Sequence, residues 1–301
     1  MKKISVGIPT YNQGKYIEET ILSVLNQTVQ PYEIVVSDNY CTDNTKEILN
    51  KYKDKIKVVR PPRHCSMCEN YRFLASQLTG DWYLHIDSDD TFEPNLIETL
   101  QKYTDREDVV FMRWGYNLID ENSNCIQKDV RIRSARKIQT FPGNFYEELS
   151  GPKNNNAARL VRLDAYRNIG GYNQSLEMNM DWGLWIELAS QGSYLYIPKT
   201  LSNYRLFPNS PSKGVKRIEL ETKDQAYIVN VIQPDIINKY NLDKSLWKMT
   251  RLMRAHGRYM FHKQNNVPFD PSIFGVTEKE ILNYPKYYDF LIRFRETFLK
   301  R

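Results

Sequence analysis

No apolar run in this sequence is long enough to cross a membrane. A membrane-spanning helix needs about 20 consecutive apolar residues, and the 301-residue chain contains no such stretch. The opening segment, MKKISVGIPTYN, has two lysines, but its apolar part is too short for a signal peptide. We therefore expect a soluble, cytoplasmic protein.

Cysteine is scarce, which argues against a disulfide-stabilised fold. The four cysteines are Cys41, Cys65, Cys68 and Cys125. A chain of this length can bury a core without disulfides, and free thiols are typical of intracellular proteins. The segment HCSMC places one CxxC beside His64, but a structural zinc site needs about four ligands and the sequence has no second CxxC or HxxxH. We expect these residues to be ordinary loop residues.

Glycine-rich phosphate-binding motifs are also absent. No GxGxxG follows the first predicted strand, and no GxxxxGK[ST] occurs in the chain. These absences exclude the usual loops of dinucleotide-binding and P-loop proteins. A diphosphate would therefore have to be held by a metal ion.

The first part of the chain alternates between short apolar runs and segments with helical spacing. Apolar runs typical of buried strands occur at 4–9, 32–37, 56–60, 81–86 and 108–114. A helix is predicted between each successive pair. This alternation predicts an α/β fold with a mostly parallel sheet flanked by helices.

Polar clusters follow three of these predicted strands. They are Thr10-Tyr11-Asn12, Ser37-Asp38-Asn39 and Asp87-Ser88-Asp89. Ligands of such sheets bind beyond the carboxyl ends of the strands. We therefore expect the three clusters to form one site.

The last cluster belongs to WYLHIDSDDTF, where three carboxylates occupy four residues. Mg²⁺ and Mn²⁺ prefer oxygen ligands and are commonly held by one or two carboxylates together with substrate phosphates. The spacing of Asp87 and Asp89 predicts such a cation, bridging the protein and a diphosphate. A cap on the next helix is the alternative for Asp89 or Asp90.

The order of several motifs resembles that of family 2 glycosyltransferases, of the inverting type found in bacterial polysaccharide and glycoconjugate synthesis. The motifs are PTYN, ILSVLNQT, EIVVSDN, ENYRFL, TGDWYLHIDSDDTFEPN, GGYN, MDWGLWIEL and YRLFPNS. The resemblance implies a GT-A-type (Rossmann-like) fold. It also implies metal-dependent, inverting transfer of a sugar from a UDP-sugar to a hydroxyl of a glycan or lipid-linked acceptor.

The resemblance assigns five residues to the nucleotide base. Pro9, Thr10 and Tyr11 would line the base, and Tyr11 would stack on it. Asp38 would accept the uracil imide N–H. Asn70 would contact the edge of the base.

The remaining assignments concern the diphosphate and the reaction. Asp87 and Ser88 would bind the nucleotide, Asp87 also being a candidate metal ligand. Asp89 would bind the divalent cation, and Arg205 would pair with phosphate. Asp181 would be the general base, although a helix N-cap requires the same type of residue at this place.

The sequence departs from the family pattern at two positions. Met180 stands where an acid commonly precedes the base, and Phe207 stands where the family often has a histidine. A third protein ligand for the metal is therefore not expected.

The C-terminal region carries the basic excess of the chain. We expect residues 1–212 to form the catalytic domain and residues 213–301 a helical extension. From Asp243 to Arg301 there are 12 Lys and Arg against 6 Asp and Glu, and the whole chain has a net charge of +6. A basic amphipathic segment at 285–301 can lie on an anionic membrane, such as the inner face of the cell membrane. Packing on the catalytic domain, a homo-oligomer and acceptor contacts stay open.

Two other functional classes remain open. A catalytically degenerate nucleotide-sugar-binding or scaffold protein would keep the fold without the reaction. A nucleotidyltransferase also uses a metal between acids, but TYNQGKY is a weak match to its phosphate-binding loop. No nucleic-acid motif is recognisable, so no nucleic-acid partner is expected.

Overall fold

The structure is a computed structural model that describes residues 2–130, 138–149, 151, 159–207 and 215–284. The described residues group into two compact units. The first unit lies within Met1–Thr140, Lys153–Gln174 and Gln191–Asn209, and the second within Phe141–Pro152, Ser175–Ser190 and Ser210–Arg301. The predicted boundary between residues 212 and 213 stays a prediction.

The first unit contains a mixed β-sheet. Its described strands are β1 (Ile4–Thr10), β2 (Glu33–Asp38), β3 (Lys57–Val59), β4 (Trp82–His85), β5 (Thr91–Phe92), β6 (Val109–Ile119), β7 (Cys125–Val130), β8 (Ile138–Gln139), β9 (Arg159–Arg162) and β10 (Ser193–Arg205). Their order in the sheet is β3-β2-β1-β4-β9-β6-β10-β5, with β7 beside β6 and β8 beside β10.

The described helices follow the chain as α1 (Ile17–Leu25), α2 (Thr45–Lys51), α3 (Met67–Ser76), α4 (Leu96–Gln101), α5 (Gly143–Leu149), α6 (Leu163–Asn168), α7 (Met180–Ala189), α8 (Val215–Tyr227), α9 (Gln233–Lys239), α10 (Ser245–Gln264) and α11 (Glu278–Asn283). The first unit contains α1–α4 and α6. The second unit contains the other helices, a π-helical turn at Ile228–Ile232 and a 3₁₀ turn at Pro271–Phe274.

The predicted parallel arrangement is confirmed for β3, β2, β1 and β4. Thr10 pairs with Asp38 across β1 and β2, and Gly7 pairs with His85 across β1 and β4. This register brings the carboxyl ends of β1, β2 and β4 to one edge of the sheet. The short strand β9 lies antiparallel between β4 and β6 and was not predicted, because it follows a region without a clear hydrophobic period.

The segments SYLYIP (193–198) and LSNYRLF (201–207) predict two short strands, and strand β10 corrects this prediction. It is continuous over 13 residues, but its pairing with β6 shifts in register between Ile197 and Thr200. Pro198 lies at this shift. Proline has no backbone N–H and therefore cannot donate a hydrogen bond to the neighbouring strand. A bulged strand that contains proline can therefore look, in the sequence, like two separate strands.

An apolar core packs the described elements of the first unit against one another. Val6 of β1, Ile21 of α1, Leu84 of β4 and Leu100 of α4 belong to this core and are fully buried. Burying one such side chain contributes about 1.5–3 kcal/mol relative to leaving it in water. This packing makes the sheet edge a rigid base for the polar loops that follow the strands.

The second unit is helical over its described residues. The sequence predicts helices at 181–192, where apolar residues have helical spacing, and at 244–263, and helices α7 and α10 confirm both within a few residues. Within the described part of the chain, no helix combines the length and the apolar character needed to cross a bilayer. The predicted amphipathic segment at 285–301 lies outside the described residues.

Candidate active site

A pocket of about 490 Å³ lies in the first unit at the carboxyl ends of the parallel strands. Its lining residues are Pro9, Thr10, Tyr11, Gln13, Asn39, His64, Cys65, Met67, Asn70, Tyr71, Asp87, Ser88 and Asp89. All three polar clusters contribute at least one residue. The sheet edge thus brings together most of the residues predicted to bind nucleotide and metal.

Three predicted site residues are not among those that line the pocket. Asp38 and Arg205 belong to the same unit as the pocket, but both are buried in the protein interior. Asp181 belongs to the second unit, at the start of α7. Each of the three has a local environment that bears on its assigned role.

Two aromatic rings form one wall of the pocket. Tyr11 is 49% exposed, and its ring meets His64 edge to face with centroids 4.8 Å apart. The His64 loop is held by the capping box of α3, in which the Ser66 hydroxyl accepts from Glu69 N–H and Glu69 accepts from Ser66 N–H. Exposed rings of this kind are suited to stacking on a planar base. Sequence reasoning missed His64 because HCSMC, which does not fit a zinc site, was interpreted as an ordinary loop.

Asp38 is held by partners inside the protein. Its Oδ1 accepts from the Cys41 N–H at 2.8 Å, and its other oxygen pairs with Arg60. Burial alone would raise the pKa of Asp38, but these two partners lower it below its ordinary value. The neighbouring Asn39 lines the pocket instead and exchanges hydrogen bonds with the backbone of Cys65. The assignment of Asp38 to uracil stays a prediction.

Asp87 is fixed by a chain of hydrogen bonds. Its Oδ1 accepts from the Tyr71 hydroxyl at 2.6 Å and lies 3.0 Å from His85 Nε2. His85 Nδ1 in turn lies 2.7 Å from the Tyr83 hydroxyl. Burial would raise the pKa of Asp87, yet His85 and Tyr71 together hold it below its ordinary value. Asp87 is therefore the ionised member of the acidic cluster, with one oxygen fixed by the protein.

Asp89 and Asp90 are shifted in the opposite direction. Burial, and next the charge of Asp87, raises the pKa of Asp89 to about 6. Burial and the two neighbouring carboxylates raise the pKa of Asp90 well above its ordinary value. Asp90 Oδ1 accepts from the Arg205 N–H at 2.8 Å, whereas its buried Oδ2 has no hydrogen-bond partner among the described residues. Burial thus favours the protonated form of Asp90, whereas Asp89 lines the pocket.

The alternative that Asp89 or Asp90 caps the next helix is wrong. Helix α4 begins at Leu96, and its N-cap residue is Asn95. Two residues of β5 separate the acidic cluster from the turn that leads to that helix. The carboxylates therefore have no capping role there.

The pocket carboxylates fit a divalent cation whose coordination shell would be completed by substrate oxygens. Over the described residues, no group of three or more His, Cys, Asp or Glu side chains converges as a metal site. Proteins commonly hold Mg²⁺ and Mn²⁺ with one or two carboxylates and substrate phosphates. The charge of Asp87 contributes to the raised pKa of Asp89, and a cation between them would relieve that repulsion.

Arg205 supports the acidic turn from below. Its side chain is fully buried, and its Nε donates to the Asp89 carbonyl at 2.7 Å. The other two nitrogens donate to the Asp120 carbonyl at 2.9 Å and to the Glu19 carboxylate at 2.7 Å. A contact with phosphate would require the guanidinium to leave these partners. The predicted phosphate role therefore stays a prediction, and the observed contacts are structural.

Asp181 lies in the first turn of α7, not at its cap. The N-cap residue of α7 is Asn179. The backbone N–H groups of Glu177, Met178 and Asn179 all donate to Asp224 Oδ2, at 2.9, 2.6 and 2.8 Å. The buried carboxylate of Asp224 thus satisfies the turn before the helix. An N-cap role does not account for Asp181.

Comparison with known proteins relates the first unit to a large family. The model of "Glycosyl transferase family 2" matches residues 5–170. A chondroitin synthase and a hyaluronan synthase of Pasteurella multocida are each 24% identical over 250 residues, which are 80% of this chain and 24% of each synthase. The chain therefore spans about a quarter of the length of those relatives. An uncharacterized glycosyltransferase of Haemophilus influenzae is 25% identical, with 88% of this chain and 82% of that protein aligned.

Solved structures show the same fold. S. aureus TarS 1–349 in complex with UDP-GlcNAc superimposes with a TM-score of 0.64 at 15% identity, over 95% of this chain and 91% of that one. Its complex with UDP gives 0.62 at 17% identity, over 95% and 78% of the two chains. These similarities confirm the predicted GT-A-type fold.

Replacing Asp90 by asparagine is expected to stabilise the protein as pH rises. Because its pKa is raised on folding, the native state holds a proton that the unfolded state loses above its ordinary pKa, so the wild type loses stability with rising pH. The asparagine side chain would imitate the protonated carboxyl without titrating. Urea unfolding of Asp90→Asn and wild type across the neutral range, with EDTA present, measures the difference.

The control for this test is Asp108→Asn, whose carboxyl pairs with Arg106 and has a lowered pKa. Its effect should have the opposite sign, with stability lost at pH values above the ordinary carboxyl pKa. If Asp90→Asn lost stability with rising pH in the same way, Asp90 would be an ionised, paired group.

Removing the Asp224 carboxylate is expected to destabilise the second unit. Asp224→Ala leaves three backbone donors without their acceptor, and we expect the free energy of unfolding to fall by about 3 kcal/mol. Urea unfolding measures the change. Asp235→Ala, an exposed carboxylate in the first turn of α9, should change stability by less than about 0.5 kcal/mol. Equal effects of the two substitutions would contradict the role assigned to Asp224.

Proposed function

Because the chain belongs to glycosyl transferase family 2, we propose that it is an enzyme that transfers a sugar from a UDP-sugar to a hydroxyl of a glycan or lipid-linked acceptor. The observation that carries the proposal is the pocket where Asp87 and Asp89 lie at the same sheet edge as the exposed ring of Tyr11. An aromatic surface and a pair of carboxylates in one pocket suit a base at one end and a metal-bound diphosphate at the other.

The base would bind at the aromatic wall. Tyr11 and His64 offer ring surfaces, while Pro9 and Thr10 close the inner side and Asn70 offers an amide to the base edge. Asp38, beneath this wall, would recognise the uracil imide if it exchanged part of its contact with Arg60 for the ligand. The structural neighbour, S. aureus TarS 1–349, has been solved in complex with UDP and with UDP-GlcNAc. This similarity supports a uridine nucleotide as the donor.

The diphosphate would bind at the acidic turn. Asp87 stays ionised because Tyr71 and His85 hold it, so it can bind a cation or the ribose hydroxyls without first losing a proton. Ser88 adds a hydroxyl beside it, and Asp89 would ionise fully on binding the cation. When bound, Mn²⁺ or Mg²⁺ would supply a Lewis acid that stabilises the charge on the departing diphosphate.

Asp181 would accept the proton of the acceptor hydroxyl. As that oxygen forms its bond to the anomeric carbon, the bond from this carbon to the diphosphate oxygen breaks on the opposite face, and the configuration inverts. The proton goes to the Asp181 carboxylate, and UDP leaves with the bonding electron pair. Asp224 would keep the base in place through the three N–H groups that precede α7.

The acceptor is a narrower proposal than the donor. The printed names of the Pasteurella relatives indicate polysaccharide synthesis, and we propose a glycan or lipid-linked glycan on that basis. A homo-oligomer or contact with an anionic membrane through the C-terminal segment belongs to the same proposal. A catalytically inactive nucleotide-sugar-binding protein is the alternative that the following experiments would reveal.

UDP binding should depend on both the cation and Asp89. Calorimetric titration of UDP is expected to give at least about tenfold tighter binding with Mn²⁺ than with EDTA, because the cation neutralises charge between carboxylates and phosphates. Asp89→Ala should remove this gain. As pH falls below about 6, protonation of Asp89 should weaken Mn²⁺-assisted binding in the wild type but not in the variant.

Asp108→Ala, which changes an exposed residue just before β6, is the matched carboxylate control and should bind UDP as the wild type does. Titration with ATP controls for the base. Equal UDP binding with and without Mn²⁺ in the wild type would contradict the cation site. No binding of UDP in either condition would contradict the donor.

Asp181→Asn should separate donor binding from transfer. Loss of the base is expected to lower kcat by about 10²–10⁴-fold, while the affinity for UDP stays unchanged because the nucleotide pocket does not include this residue. Release of UDP in the presence of a donor and an acceptor measures the rate. Glu187→Gln, a carboxylate further along α7, should retain transfer. A wild-type rate for Asp181→Asn would show that another group takes the proton.

A further inference from the structure

Arg254 of α10 has an environment that its neighbours on the same helix do not share. Its guanidinium lies over the Trp182 indole, with Cζ 4.9 Å from the ring centroid. Across the described residues, no carboxylate lies within 4.0 Å of it, and its buried Nε has no hydrogen-bond partner. Burial, followed by the charge of Arg258, lowers the pKa of Arg254 to about 10. Within the part of the chain that the structure describes, the group is therefore a poorly solvated cation without a counter-ion.

Arg258, one turn further along α10, provides the comparison. It donates to the Thr222 hydroxyl at 2.9 Å, to the Ile218 carbonyl at 2.7 Å and to Glu221 at 3.1 Å. This is the usual environment of an arginine that stabilises a fold, since buried charges require paired and hydrogen-bonded partners. Among the described residues, the partner of the Arg254 guanidinium is the face of the Trp182 ring. Its place in the helix is thus not explained by stability.

The backbone near Arg254 is adapted to its guanidinium. Gly151 has a φ of +117°, and a Cβ at this position would lie 1.5 Å from Arg254 Nη2. A side chain at residue 151 would therefore displace the guanidinium from the indole. The absence of a side chain at Gly151 therefore leaves room for the guanidinium over Trp182, which is the residue that follows Asp181 in the sequence.

We propose that Arg254 and Trp182 form a binding site for an anionic group of the acceptor, a phosphate or a carboxylate. The planar guanidinium binds either oxyanion through two parallel N–H···O bonds, and the indole holds the guanidinium in place by a cation–π contact. Trp182 is itself fixed, because its Nε1–H donates to the Glu148 carbonyl at 2.8 Å. The inference rests on the proposed function, since it makes the acceptor a charged glycan or glycolipid bound beside Asp181.

Chemical labelling tests the site without any assay of transfer. Phenylglyoxal modifies accessible arginines, and mass spectrometry of the full-length protein measures the rate at Arg254 by itself. Inorganic phosphate is expected to slow labelling of Arg254 by at least about fivefold relative to sodium chloride of equal ionic strength, as bidentate binding shields the guanidinium. Arg217, an exposed arginine of α8 paired with Glu221, is the internal control and should label at the same rate in both salts.

Acetate distinguishes the two possible oxyanions. Protection by phosphate alone would indicate a phosphate-bearing acceptor, and protection by both anions would extend the site to carboxylates. Labelling of Arg254 that phosphate and acetate leave unchanged would overturn the proposal. Because none of these results needs a donor, the failure of this site and the failure of the glycosyltransferase function are distinguishable.

Variants separate binding from folding. Arg254→Gln should be at least as stable as the wild type in urea, because it removes an uncompensated charge, and it should raise the acceptor KM by about tenfold with little change in kcat or UDP affinity. Lys248→Gln, which removes an exposed charge from the same helix, should leave the acceptor KM unchanged. Arg258→Gln should destabilise the protein by leaving Glu221 without that partner. Destabilisation of Arg254→Gln to the same degree, with an unchanged acceptor KM, would show that Arg254 is structural.

Discussion

The repulsion among the three carboxylates that follow β4 is the constraint on which the architecture of the pocket depends. The structure resolves it by giving each carboxylate a different environment. Asp87 receives hydrogen-bond partners that hold its pKa below the ordinary value, whereas burial raises the pKa of Asp90 well above it. Asp89 lies between these two conditions, with a pKa of about 6. The turn is therefore compatible with the fold without a bound cation, and Asp87 still presents a negative charge to the pocket.

Buried polar groups hold the functional segments of both units. In the first unit, Arg205 donates to the carbonyl of Asp89 and its backbone N–H donates to Asp90, so strand β10 fixes the acidic turn. In the second, Asp224 collects three backbone N–H groups before α7. Charge-assisted bonds of this kind have defined directions, unlike apolar contacts. They can hold a carboxylate accurately in place although it lies in a loop or in the first turn of a helix.

Sequence patterns predicted which residues meet at the sheet edge, because this depends on the order of strands and helices. They did not predict the burial or the hydrogen-bond partners of side chains that depend on contacts between residues far apart in the sequence. The alternation of strands and helices predicted the sheet edge, and with it the grouping of Tyr11, Asn39 and Asp87. The same patterns cannot tell that Arg205 is buried, because exposure of an arginine depends on which elements cover it. Tyr71 and Asp224 were missed for a related reason. Each acts on residues 16 or about 45 positions away in the sequence, and no local period records such a contact.

The pairing of buried charges offers a way to separate structural groups from functional ones in this chain. Arg205, Arg258 and Asp224 are buried, and each has directional partners that account for its position. Arg254 lacks such partners among the described residues, although its desolvation lowers its pKa. A folded chain keeps an uncompensated charge against its own stability, so selection for stability alone would remove it. The difference between two arginines one helical turn apart is therefore better explained by a ligand than by the fold.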